Sequence, residues 1–262
     1  MVHDTLVLMY HAIPGSSRAC HTADPHYCVE RAGFVRHLDL MQELGLKPRS
    51  VRDVMLGQGP MGQAPGVALT FDDGHESNFA AYAEIARRGG SADLFINPSL
   101  VGQRGFLSWA QLRELAAQGA SIQSHGQRHV FLDELPAAEV RRELSLSRRH
   151  IADELGIAPS LFAPPNGRLP ADGVQLACDQ GYAAVCSSQV GVWRETRQRE
   201  IPRFAVLAGT PESQLRGWLT RSPWVMTRSH ARAALLRSAK RVLGNQTYRA
   251  LRSRLLLESP PP

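Results

Sequence analysis

Short apolar runs alternate along this chain with stretches of helical periodicity, and that alternation constrains the fold more than any other feature. Leu6 to Met9 read as a buried strand ending at Tyr10-His11, after which Phe34, Leu38, Met41 and Leu44 recur at helical spacing up to Gly45. Val67 to Phe71 form the next strand, followed by a helix over roughly 76–88 and a strand from Ala92 to Ile96. Ser108-x-x-Gln111 starts a helix with a capping box, and Gly119 ends it. A short strand at Ala120–Gln123 precedes a long helix from Pro136 to about Leu155, with Val140, Leu144 and Ile151 on its apolar side. A strand near Leu161-Phe162, another helix, a strand at Ala183–Val185 and a last strand near Phe204–Leu207 complete the series. Such units predict a parallel sheet with crossover helices. Seven or so of them fit a barrel better than an open doubly wound sheet. In barrels, chemistry sits at the C-terminal ends of strands.

Those ends carry unusual residues here. Thr70-Phe71-Asp72-Asp73-Gly74 closes one strand, Ser124-His125-Gly126-Gln127-Arg128-His129 another, and Ala163-Pro164-Pro165-Asn166-Gly167 a third. One carboxylate with two imidazoles makes a facial metal site that leaves positions open for water and substrate. The second carboxylate then stands ready to move protons beside it. Taken alone, Asp-Asp-Gly is turn chemistry, and a His-x-x-x-His pair is ordinary surface. Together, at the ends of different strands, they indicate a metal-assisted hydrolase. Gly57-x-Gly59-x-x-Gly62 has the spacing of a dinucleotide fingerprint, but it precedes a strand and contains Pro60, so it is a connecting loop.

Composition narrows the setting. At 43% hydrophobic and 21% charged, the 262 residues have ample core. No run approaches the ~20 apolar residues of a membrane span. The N-terminal stretch lacks the basic flank and cleavage site of a signal peptide. A cytoplasmic location is therefore expected, either free or at the inner face of the membrane. Cys20, Cys28, Cys178 and Cys186 form no C-x-x-C pair and read as free thiols. The net charge of +6 is uneven: Arg221 to Arg254 hold nine Lys/Arg and no Asp or Glu, whereas the rest is net −3. The chain thus divides into a barrel over 1–220 and a basic helical extension over 221–262. In that extension Leu235, Leu236, Ala239, Val242 and Leu243 recur at helical spacing, as do Tyr248, Leu251 and Leu255. This suits either a helix packed on the barrel with a solvated basic face or a peripheral contact with an anionic membrane. Aromatic interleaving is sparse and no nucleic acid partner is expected.

The ordered motifs resemble those of the polysaccharide deacetylases of the NodB-homology type, carbohydrate esterase family 4. The matching pieces are Met9-Tyr10-His11, Thr70–Gly74, Leu107-Ser108-Trp109, Ser124–His129, Phe162–Gly167 and Ile201-Pro202-Arg203, spanning residues from about 5 to 207. The resemblance implies a distorted (β/α) barrel, here with a C-terminal helical tail. It implies Asp72 as the general base, and Asp73, His125 and His129 as ligands of a divalent metal, usually zinc, with cobalt, iron or nickel as alternatives. It implies the Asn166 backbone N–H as an oxyanion donor. The reaction would remove N-acetyl groups from amino sugars of a polysaccharide or of a lipid-linked saccharide. The Met-Tyr-His start is associated with exopolysaccharide biosynthesis. The family often pairs its base with an arginine where this chain has Ala163, so other neighbours must set the pKa of Asp72. The family's late leucine-x-histidine motif, which supplies the general acid, is absent. His11 is the candidate acid, with His75 in reserve. Pro165, Trp109 and Arg203 are the expected substrate contacts. Two alternatives stay open: a hydrolase of another linear amide or formamide, and a carbohydrate-binding member without turnover.

Overall fold

A computed structural model describes residues 4–16, 23–57, 66–194 and 198–236. Nine strands form one sheet: β1 (Thr5–Tyr10), β2 (Pro48–Arg49), β3 (Gly66–Phe71), β4 (Asp93–Ile96), β5 (Ser121–Ser124), β6 (Leu161–Phe162), β7 (Ala184–Cys186), β8 (Glu200–Ile201) and β9 (Phe204–Ala205). Their order is β8-β7-β6-β5-β4-β3-β1-β9, with β2 on the side against β3, and every pairing is parallel. The helices are α1 (Arg31–Glu43), α2 (Val51–Met55), α3 (Asn78–Arg87), α4 (Trp109–Ala117), α5 (Ala137–Leu155), α6 (Gly173–Asp179) and α7 (Glu212–Leu219). The expected (β/α) barrel is present as a sheet curled into a half-barrel.

The curl has a covalent cause. The sheet's outermost strands, β8 and β9, are separated in sequence only by Pro202 and Arg203. Three peptide steps reach at most about 11 Å, so the two edges must lie close together. Arg203 sits in that seam.

Strand β1 is buried along its whole length and its residues alternate between two cores. Leu6, Leu8 and Tyr10 pack with Phe34, Leu38 and Met41 of α1 in the outer layer. Val7 instead joins Ala68, Phe95, Leu161, Ala184 and Ile201 in an inner cluster. This is the period of two that a strand covered on both faces requires. Both arms of the Ser108/Gln111 capping box form, and Gly156 ends α5 in the left-handed region at φ 71°.

Three short elements were not expected: β2, α2 and β8. Each spans two to five residues, too few to show a period. Helix α2 is held by its start. Ser50 Oγ accepts from Asp53 N, and the carboxylate of Asp93 accepts from Val51 N at 2.5 Å. Asp93 is fully buried, and burial pushes its carboxyl up to about 7.

Beyond α7, a helix over 223–236 lies against the barrel. Val225 and Met226 pack on the core, and Trp218 Nε1 donates to Ser229 Oγ at 2.8 Å. The guanidinium of Arg221 donates to the carbonyls of Asp4 and Gly66, at the starts of β1 and β3. The segment expected as an extension is thus tied to the barrel from its first residue. Residues 237–262 of that segment lie outside the described residues. Among the described residues no helix is long and apolar enough to cross a membrane.

Candidate active site

A cavity of about 500 Å³ opens at the C-terminal ends of the strands. Asp72 and Asp73 follow β3, and they diverge because the backbone changes hand between them. Asp73 has φ 72° and Gly74 φ 68°. Aspartate tolerates the left-handed region better than most residues. A side chain at 74 would also meet Ile96 Cγ2 at 3.0 Å, so glycine is required twice over.

Asp73 turns toward the histidines. Its Oδ1 lies 3.2 Å from His125 Nε2 and 3.2 Å from His129 Nε2. The same oxygen is buried and makes no hydrogen bond of acceptable geometry. Burial raises the Asp73 carboxyl, but the two imidazoles outweigh it and hold the group well below the usual carboxylate range. For His129 burial pulls the pKa down, and the Asp73 carboxylate more than reverses this. A carboxylate oxygen and two imidazole nitrogens converging on one point, with nothing satisfying the oxygen, fit a divalent cation.

The loop that presents the imidazoles is held from below and behind. His125 N donates to Ile96 O, and Asn97 Nδ2 donates to the carbonyls of His125 and Gly126. Glu143 of α5, buried, accepts from Arg128 N at 2.9 Å and Arg128 Nε at 2.5 Å.

Asp72 points into the barrel. Arg203 donates to both of its oxygens, at 2.7 and 2.9 Å, and both side chains are almost wholly buried. Burial alone would raise the Asp72 carboxyl; the charge and hydrogen bonds of Arg203 lower it instead. Asp72 is therefore a carboxylate at neutral pH.

His11 ends β1, with its ring 4.3 Å from that of Tyr27. Its Nδ1 is buried without a hydrogen-bond partner, and burial lowers its pKa against the pull of Asp73 and Asp72. His75 also lines the cavity, but its Nδ1 is engaged by Ser77 Oγ at 2.8 Å. On the far wall Asn166 is left-handed at φ 55°, exposed, and part of the cavity lining. A Cβ at Gly167 would strike Ser188 at 2.5 Å, which keeps this turn close to the wall.

The expected site residues thus divide. Asp72, Asp73, His125, His129, His11 and Asn166 share the cavity. Of the three expected substrate contacts, one lines the cavity and two lie off it. Arg203 is part of the lining, but four of its five N–H donors go to Asp72, Thr70 Oγ1 and the Ser187 carbonyl. Trp109 lies with its ring tilted against that of His150, 5.3 Å between centres, and packs on the core, away from the cavity lining. Pro165 is buried within the turn, and its neighbours Asn166, Gly167 and Arg168 form the wall. Conversely, Tyr27, Phe106, Phe131 and Arg168 line the cavity without having been singled out. They come from loops, where no periodicity marks a residue.

The cysteines also need correction. Cys178 and Cys186 are free, but Cys28 is disulfide-bonded to a partner outside the described residues.

Residues 61–185 match a family model described as Polysaccharide deacetylase. YxkH of Bacillus subtilis, a protein named for the same family, is 24% identical over 188 residues, covering 71% of this chain and 64% of that protein. The chain spans about half to two thirds of the length of the curated relatives it matches. Among solved structures, the deacetylase PplD of Streptococcus pyogenes, in complex with acetate, has the same fold. It superposes with a TM-score of 0.72 at 22% identity, over 85% of this chain and 99% of that one. A de-N-acetylase from Aggregatibacter actinomycetemcomitans superposes at 0.71 with 17% identity, over 82% of this chain and 99% of the other.

Proposed function

We propose that the chain, whose residues 61–185 match the polysaccharide deacetylase family model, is a member of that family and hydrolyses N-acetyl amides of amino sugars with the help of a divalent metal, most simply zinc. The substrate is an N-acetylated polysaccharide or a lipid-linked saccharide, in the assembly of a surface or exported glycan. One observation carries the reading: Asp73 Oδ1 lies between two imidazole nitrogens, while the adjacent Asp72 is held apart from them as a carboxylate.

Asp73, His125 and His129 would hold the ion. When bound, it supplies Lewis acidity to the amide carbonyl and makes a water easier to deprotonate. The chain's own groups do the remainder. Asp72 receives the proton of the attacking water, and its pairing with Arg203 keeps it both ionised and out of the ligand set. The backbone N–H of Asn166 faces the developing oxyanion. His11, which lines the cavity beside Asp72 and Asp73, would protonate the departing nitrogen. Burial keeps its ring neutral at rest, so the proton it gives is one gained during turnover.

The test is acetate release from N-acetylglucosamine oligomers by the zinc-loaded protein. Asp72→Asn should lower it by roughly 10²- to 10⁴-fold, the usual worth of a general base. Formate release from formamides without acetate release would assign a different amide. Zinc bound with neither product formed would make the chain a glycan-binding barrel.

A further inference from the structure

We propose that the outer face of the helix over 223–236 docks on an anionic phospholipid bilayer. This goes beyond the hydrolytic reading and rests on a surface separate from the catalytic cavity, with which its groove shares no lining residue.

The helix rests on the barrel through Val225 and Met226. Trp224, Arg228 and Leu235 recur at i, i+4 and i+11, which sets them on one stripe turned away from that contact. Trp224 is 65% exposed, Leu235 70% and the neighbouring Leu236 43%. They are three of the five exposed large hydrophobic side chains among the described residues. A lone exposed leucine needs no explanation; a tryptophan and two leucines on one short helix do.

The charge on this helix is as one-sided as its apolar content. The Arg228 guanidinium sits 4.5 Å from the centre of the Trp224 ring. Arg228 and Arg232 line a groove of about 330 Å³ between the helix and the start of α7, together with Pro211, Gln214, Trp224 and Val225. The sequence from Arg221 to Arg254 contains no acidic residue to neutralise them. A groove with apolar walls and two guanidinium groups matches a lipid phosphate and the glycerol attached to it. The bilayer interface takes the indole and Leu235, while the arginines meet the headgroups. A nucleic acid would satisfy the arginines and leave Leu235 in water, so the bilayer uses the whole stripe.

The full chain should co-sediment with vesicles of phosphatidylcholine containing phosphatidylglycerol, and not with phosphatidylcholine alone. Its tryptophan emission should shift to the blue on binding. Arg228→Gln with Arg232→Gln should lower partitioning roughly 30-fold, from two headgroup charges. Trp224→Ala should abolish the blue shift, and Leu235→Ser should weaken binding further. All of these variants should release acetate from a soluble oligomer at the wild-type rate, so failure of the docking surface is read apart from failure of the enzyme. Equal binding to neutral vesicles would overturn the proposal. So would binding that survives all four substitutions, since other residues would then make the contact. A concentration-dependent dimer abolished by Leu235→Ser would give the face to a second copy instead.

Discussion

Asp72 and Arg203 lie 131 residues apart in sequence and meet as a buried two-bond ion pair, at 2.7 and 2.9 Å. Arg203 reaches this position because it occupies the link between β8 and β9, where the sheet's edges approach. Arg203→Met would leave Asp72 buried without a counter-ion. Breaking such a pair costs about 3–5 kcal/mol. The Asp72 carboxyl would then rise, since burial, its largest influence, would have lost the charge and hydrogen bonds of Arg203 that oppose it most. The acid limb of the kcat/KM profile should move to higher pH. The depressed carboxyl gives the wild type stability above the unfolded-state pKa that is lost as pH falls through the folded value, and this contribution should vanish in the variant. A folded Arg203→Met enzyme with an unmoved acid limb would mean that Asp72 is not the base.

The sequence made Asp72 legible and left its partner ambiguous. Strand ends carrying Asp-Asp-Gly and His-x-x-x-His can be read because a strand's end and its side-chain direction are local properties. That Arg203 replaces the cation missing at Ala163 depends on where the barrel closes, and closure is set by the pairing of β8 and β9 with opposite edges. Trp109 lies off the cavity lining for a related reason. Its position at the first turn of α4 was clear, but its neighbour His150 comes from α5, and only packing decides that contact. Tyr27 lies in a short turn between β1 and α1, and the ring that packs against His11 carried no signal of its own.

Arg168 joins the two halves of the site. Its Nε lies 2.8–2.9 Å from the carboxylate oxygens of Asp133, its terminal nitrogen 2.8 Å from Glu134, and its guanidinium 4.4 Å from the Phe131 ring centre. Those partners follow His129 directly, whereas Arg168 follows the Asn166 turn. The side chain therefore sets the distance between the proposed metal ligands and the proposed oxyanion donor. Arg168→Met should lower kcat roughly 10- to 100-fold, as a misplacement of about 1 Å does, with zinc affinity and KM unchanged. Arg168→Lys keeps the charge without the fork and should recover only part of the rate. A rise in KM alone would make Arg168 a substrate contact.

Zinc affinity should fall as pH falls. Imidazole binds metal only when neutral, and Asp73 holds the His129 pKa above its ordinary value despite burial. Protons therefore compete with the ion up to higher pH than at an isolated histidine. Calorimetry in buffers of different ionisation enthalpy should show about one proton released per ion near pH 6. Glu143→Ala, which frees the Arg128 backbone, should lower affinity about 10- to 100-fold without changing that release. Affinity independent of pH between about 5.5 and 7.5 would remove His129 from the ligand set.

Asp93 predicts a pH dependence of stability unconnected with the chemistry. Its carboxyl rises from 3.8 to about 7 because burial disfavours the charge more than Val51 N and Ser121 support it. A folded acid with a raised pKa holds its proton where the unfolded chain has lost it. The folded state then binds more protons, and stability falls as pH rises from about 4 to about 7, then levels off. Asp93→Asn keeps an acceptor for Val51 N and carries no charge at any pH. The unfolding midpoint of the wild type should therefore decline between about pH 5 and 8, and that of Asp93→Asn should decline less and exceed it at the upper end. If the variant instead loses stability equally at all pH values, the Asp93 carboxyl is serving only as a hydrogen-bond acceptor at the start of α2 and is not protonated in the folded protein.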